Sequence, residues 1–314
     1  MRFYAGFQKM VPLIILALVL YQGMNIFSES KEMVQNKTTF IYLNGKKLDA
    51  AHRNPVYDIL VDPEGQVFVP EFYGNRVAVF DAKGNLKRRI TGVNSPHGIA
   101  LDSSGNLYVA AYRTGRLHKF RHQDNAEELG WDKNTSSLDI GPTSLDFDAS
   151  GNLYVADYRE RRIIKMTPDG QVDQIIEVLV ESGEEKIQPH GLSIWNGKIY
   201  IAERVQGVIL VLTLDGKVLE RWKPADRKFV PLTIRFAESC AVVANYADGG
   251  LNLFSSSGDF IEQVGSYGTN EGNFLYATSS FFDPSSKLLW VTEQRGNRIQ
   301  RVELTLPDKC HMKE

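Results

Sequence analysis

After Phe27 the chain is written in short runs of four to seven residues in which apolar and polar positions alternate. One stretch shows the pattern: "TSLDFD", "NLYVAD", "RIIKMT" and "QVDQII" follow one another between Thr143 and Ile176, with Gly or Asp-Gly at the bends. A period of two over such lengths predicts half-buried strands, Asp-Gly predicts tight turns, and no helical period competes with them. Each such unit is a four-stranded antiparallel sheet.

The unit recurs. "GQVFVPEFYGNRVAVF" from Gly65, "GNLYVAAYRTGRLHKF" from Gly105, "GNLYVADYRERRIIKM" from Gly151 and "GKIYIAERVQGVILVL" from Gly197 are copies, and "SCAVVANYADGGLNLF" from Ser239 and "KLLWVTEQRGNRIQRV" from Lys287 are worn ones. Their central residues are Val69, Val109, Val155, Ile201, Val243 and Val291, spaced at the period of one propeller blade per repeat. Six copies predict an all-β, six-bladed β-propeller occupying residues 31–314. Blade 6 has three good strands and ends near Leu306, while "TTFIYLNGKKL" (Thr38 to Leu48) is a lone strand with no blade of its own. The expectation is that this strand closes the ring as the outer strand of blade 6.

The first thirty residues differ in kind. Arg2 and Lys9 precede an unbroken apolar run from Met10 to Tyr21, which by charge and length is an export signal. The run is short for a span of about 20 residues, yet reading on to Phe27 nearly reaches it. A cleaved signal and an uncleaved membrane anchor both stay open for residues 1–30. Either places the propeller outside the cytoplasm, secreted or tethered to the membrane.

Composition narrows the function classes. The 314 residues are 43% hydrophobic and 24% charged, enough for a large core, and the formal net charge of -2 leaves no electrostatic footprint for nucleic acid. Arg113, Arg121, Arg159 and Arg161, with Tyr112 and Tyr158 between them, form a basic and aromatic rim suited to a polyanion, but export argues against RNA. Two cysteines are too few for a disulfide framework, and Cys240, inside the run CAVVANY, reads as a small buried hydrophobe. No nucleophile elbow, phosphate loop or dinucleotide fingerprint is present.

Candidate chemistry lies where each repeat opens and where each second strand ends, because these positions meet around one mouth of a propeller channel. The openers are Val56, His97, Thr143, His190, Leu232 and Ala277, and the closers are Glu71, Ala111, Asp157, Glu203, Asn245 and Glu293. Glu71, Asp157, Asn245 and Glu293 are candidate binding residues there. Arg76, Arg162 and Arg298 stand five residues after Glu71, Asp157 and Glu293, spaced to pair with them across a hairpin. Val208 takes that place after Glu203, which leaves Glu203 as the carboxylate open to a catalytic role.

"SPHGIALD", "GNLYVADY" and the Arg-Ile that follows resemble the NHL repeat, over Asn54 to about Leu306. More loosely, "SPHGIALD" at His97 and "QPHGLSIW" at His190 resemble the peptidyl-hydroxyglycine amidating lyase branch of NHL propellers. That resemblance implies zinc held by histidines on alternate blades, with a tyrosine and arginines handling the substrate. His97 and His190 match two metal ligands, Arg204 and Tyr158 match the substrate-handling groups, and Ala277 stands at the third histidine's place, so Glu71, Glu203 or Tyr276 would have to replace it. Two readings follow: recognition of a protein, glycan or small anionic ligand at the mouth, or a metal-dependent lyase or hydrolase with Glu203 or Tyr158 as base and Arg204 as electrostatic clamp.

Overall fold

The computed structural model describes residues 39–42, 55–121, 127–129, 131, 138–179, 185–295 and 298–311. They form six antiparallel four-stranded sheets. Blade 3 is representative: its inner strand Pro142–Phe147 pairs with Leu153–Asp157, then Arg162–Met166, then the outer Val172–Ile176. In blade 6 the order runs from the inner strand Ala277–Asp283 through Leu288–Glu293 and Arg298–Glu303 to Thr39–Tyr42. Thr39 sits opposite Arg301 and Tyr42 opposite Arg298, so the outermost strand of the last blade comes from the other end of the chain.

Alternation fades in the second strand of every blade, and packing explains why. Along Leu107–Ala111, Leu107, Val109 and Ala111 pack toward blade 1 while Tyr108 and Ala110 pack toward blade 3. Both faces of the strand are covered, so every position is apolar and buried. Six hydrophobic clusters result, one in each seam between neighbouring blades, and the cluster holding Val56, Val69, Trp290 and Ile299 closes the ring between blades 6 and 1.

Cys240 is not a free hydrophobe. It forms a disulfide with Cys310, 70 residues later, and the Ser239 amide and hydroxyl both donate to the Cys310 carbonyl. The bond ties the segment after the last strand of blade 6 back to the second strand of blade 5. Sequence alone offered only two cysteines with no local spacing to relate them.

Among the described residues no helix is long and apolar enough to cross a membrane. The segment 1–30, expected to be a signal or anchor, lies outside the described residues, as do Thr38 and positions 43–48 of the closing stretch.

Candidate functional site

The site is built by one irregularity repeated around the ring. In blade 4, Pro189 faces Glu203 and Gly191 faces Ala202, so His190 has no partner in the ladder. The same extra residue occurs at Thr143, Leu232 and Thr278. Blade 2 has two residues, His97 and Gly98, between the Pro96–Ala111 and Ile99–Val109 pairs where the partner strand has one. Blade 1 has three between Val56–Glu71 and Leu60–Phe68 where the partner has two, which makes Tyr57 the extra residue. A bulge breaks the period of two and re-aims a side chain. Here it turns one residue in each of blades 1 to 5 toward the channel mouth. This register corrects the expected set of openers: the extra residues of blades 1 and 6 are Tyr57 and Thr278, whereas Val56 and Ala277 are buried in the seams.

Five bulge residues, Tyr57, His97, Thr143, His190 and Leu232, form the floor of a cavity of about 190 Å³. Its wall comes from the residue that follows each second strand: Phe72, Tyr112, Tyr158, Arg204, Tyr246 and Gln294. Backbone hydrogen bonds set the wall on the floor. The Tyr158 amide donates to the Gly141 carbonyl, two residues before Thr143, and the Tyr112 and Tyr246 amides repeat the contact at Ser95 and Val230.

The closers brace this arrangement from behind and do not line the cavity. Asp157 accepts the Gly141 amide (2.8 Å) and the Arg162 guanidinium (2.9 Å). Asn245 accepts the Val230 amide (2.8 Å), and Glu293 accepts the Leu275 amide (2.7 Å) and Arg298 (2.7 Å). Glu71 is paired with Arg76. Glu203, the expected free carboxylate, accepts the Gln188 amide (3.0 Å) and the Gln206 amide (2.5 Å) and is fully buried. Two backbone amides do for Glu203 what arginine does for Glu71, Asp157 and Glu293. Asp157, Glu203, Asn245 and Glu293 each hold the backbone that approaches the bulge in blades 3 to 6.

Both histidines are held alike. His97 Nδ1 lies 2.7 Å from the Thr143 carbonyl and His190 Nδ1 lies 2.8 Å from the Leu232 carbonyl, each on the next blade. A carbonyl only accepts, so in the neutral imidazole the proton is on Nδ1 and Nε2 carries a bare lone pair. Burial lowers the His97 pKa to about 4, and burial together with the neighbouring His97 and Arg204 lowers that of His190 to about 3, so both are neutral at pH 7. Glycine follows each histidine for a related reason: a Cβ on Gly98 would lie 2.7 Å from the Thr143 carbonyl, and one on Gly191 2.5 Å from that of Leu232. The carbonyl that the imidazole holds leaves no room for a side chain next door.

The rings interlock. Tyr57 stacks on His97 at 4.3 Å between centroids, His97 and His190 are 5.5 Å apart, and Tyr158 meets His190 edge-on at 5.7 Å. Burial raises the Tyr57 pKa, partly offset by its hydrogen bond to Gln294, so the phenol stays protonated. Arg204 lies over the Tyr246 ring at 5.5 Å. Among the described lining residues it alone carries a permanent charge. The outer basic rim is largely neutralised, since Arg121, Arg159 and Arg161 pair with Glu127, Asp139 and Glu185.

A zinc ion fits the two imidazoles in one respect, because a backbone carbonyl on the far nitrogen is the usual support of a ligating histidine. The donor count does not fit. Among the described residues no three His, Cys, Asp or Glu side chains come together, and the third alternate blade presents Thr278, whose hydroxyl donates to the Val56 carbonyl. Two imidazoles fall short of the three protein ligands of a catalytic zinc.

Residues 93–120, in blade 2, match the NHL repeat family, so the chain carries an NHL repeat. No curated protein sequence matches the chain. Among solved structures, virginiamycin B lyase from Staphylococcus aureus is 13% identical, covering 86% of this chain and 100% of its own, with a TM-score of 0.62. A catalytically inactive histidine-to-alanine variant of that lyase, with Quinupristin, superimposes with a TM-score of 0.60 at 13% identity, over 86% of this chain and 100% of its own. A gluconolactonase from Xanthomonas campestris is 15% identical over 87% of this chain and 91% of its own, with a TM-score of 0.65. At such identities the likeness is one of fold.

Proposed function

We propose that this propeller recognises a small anionic molecule with an apolar or aromatic body in the mouth cavity. The observation that carries the reading is the cavity's charge: two neutral imidazoles, a ring of phenols and phenyl, and Arg204 as the one permanent charge among the described lining residues. An anion on Arg204 is complementary to it. Aromatic faces suit a flat or apolar body, and the two Nε2 lone pairs suit a hydroxyl or amide donor on the same molecule. A cavity of about 190 Å³ favours a small molecule over a protein or a glycan chain as the group that enters. The Cys240–Cys310 disulfide supports an oxidising location outside the cytoplasm, as the apolar run from Met10 does.

A thermal-shift and calorimetric panel of benzoate, phenylacetate, salicylate and their uncharged amides tests this. The carboxylates should stabilise the protein and the amides should bind at least about tenfold more weakly, since a charge-assisted bond contributes roughly 1.5–3 kcal/mol. Arg204→Ala should abolish the difference. Equal binding of acids and amides to the native protein would overturn the reading.

Catalysis at the same place is the second reading, favoured by the convergence of His97, His190, Tyr158 and Arg204 and by the lyase and lactonase folds it resembles. The depressed imidazole pKa values weigh against it, because a general base works best with a pKa near the operating pH. Turnover of a gluconolactone or of Quinupristin that His190→Gln abolishes would favour the enzyme.

A further inference from the structure

The channel has a second end. Three residues beyond each bulge, about 10 Å further along the inner strands, the ring Leu60, Ala100, Asp146, Ser193, Arg235 and Phe281 lines another cavity, of about 540 Å³. Leu101, Phe236 and Phe282 widen its apolar wall. Arg235 reaches from blade 5 to blade 1, where its Nη2 donates to both oxygens of the Asp58 carboxylate at 2.9 and 2.8 Å. Asp58 follows Tyr57 in the chain and is itself buried.

The charges at this end do not balance. Arg235 is committed to Asp58 and also donates to the Leu192 carbonyl (2.9 Å). Asp146 has neutral donors only: the Phe147 amide (2.9 Å), the Ser193 hydroxyl (3.1 Å) and the Ile194 amide (2.8 Å). These occupy three of the roughly four acceptor sites of a carboxylate. Asp102, at the rim, is paired with Lys119 (3.4 Å). The guanidinium of this apolar chamber is thus taken by Asp58, and Asp146 is held by neutral donors.

We propose that this second cavity binds an apolar molecule bearing one protonated amine, with the ammonium on Asp146 and the body against Leu60, Leu101, Phe236 and Phe281. Burial raises the Asp146 pKa even with Arg235 close by, which is the mark of a carboxylate short of positive charge. The site is independent of the mouth cavity and takes a ligand of opposite sign.

Three dansyl amides test it on the full chain by fluorescence titration: one with an aminopentyl tail, one with a plain pentyl tail and one with a carboxypentyl tail. The amine should bind at least tenfold tighter than the neutral probe, and the carboxylate should not displace it. Asp146→Asn should bring amine and neutral probe to within twofold of each other, and Arg204→Ala should leave the amine's affinity unchanged. Equal affinity of amine and neutral probe for the native protein, survival of the preference in Asp146→Asn, or its loss in Arg204→Ala would each overturn the proposal. Should Asp146→Asn not fold, the three-probe series on the native protein and on Arg204→Ala still decides the question.

Discussion

Mild acid should destabilise this protein through His97 and His190 more than through any surface group. In the unfolded chain a histidine titrates near 6.5, whereas in the folded protein the two titrate at about 4 and about 3. Between those limits the unfolded state binds two protons that the folded state refuses, so stability falls as pH falls. The stabilising contribution is fully present above 6.5 and is lost as pH drops toward 4 for His97 and toward 3 for His190. At pH 5 each histidine is 1.5 units below its unfolded value, and at 1.36 kcal/mol per unit this amounts to about 2 kcal/mol each and about 4 kcal/mol together. Urea unfolding followed by tryptophan fluorescence from pH 7.5 to 5 would measure it. The raised pKa values of Asp146 and Glu293 act in the opposite sense at the acid end, so the informative quantity is the difference between the native protein and His97→Gln/His190→Gln. The native protein should lose about 4 kcal/mol more than the double variant between pH 7 and 5. Parallel stability curves would refute the reasoning, since they would mean that the imidazoles are solvated and free to protonate in the folded state.

Further outcomes follow from the same geometry. Gly191→Ala puts a Cβ 2.5 Å from the Leu232 carbonyl and 2.6 Å from Thr233 Cα, both backbone atoms, and should cost roughly 1–3 kcal/mol by overpacking while weakening carboxylate binding; an unchanged melting temperature and affinity would contradict it. Reduction of Cys240–Cys310, which closes a loop of 70 residues, should remove about 4 kcal/mol of stability; alkylation of both thiols in unreduced protein would show that the bond does not form. Thr278→His adds an imidazole at the bulge of blade 6 and should raise zinc affinity at least about tenfold over Ala277→His, read by calorimetric titration; equal affinities would place the bulge residues on no common centre.

The fold and part of the site were legible in the chain because they rest on local signals. Period-two runs, Gly and Asp-Gly bends and the recurrence of Val69, Val109, Val155, Ile201, Val243 and Val291 are properties of neighbouring residues, and they suffice for six four-stranded blades. His97 and His190 were found because the repeat marks where strands begin, Tyr158 and Arg204 through the lyase resemblance, and all four line the mouth cavity. Tyr57 and Thr278 were missed by one residue, since a bulge is a count of one strand against its partner and leaves no trace in either strand alone. Phe72, Tyr246 and Gln294 were not singled out, because the position after each second strand varies between aromatic, arginine and glutamine, and Tyr112 was noticed only as part of the basic rim. The carboxylate of Glu203 looked free because its partners are backbone amides, which every sequence contains and none displays. Cys240 and Cys310, and the distant partners Asp58 and Arg235, meet only when the ring closes. The sequence by itself therefore determined the repeat, the strands and the two Pro-His-Gly segments, while the tertiary structure alone decided which side chains share a cavity, because that depends on register and closure between segments the chain holds far apart.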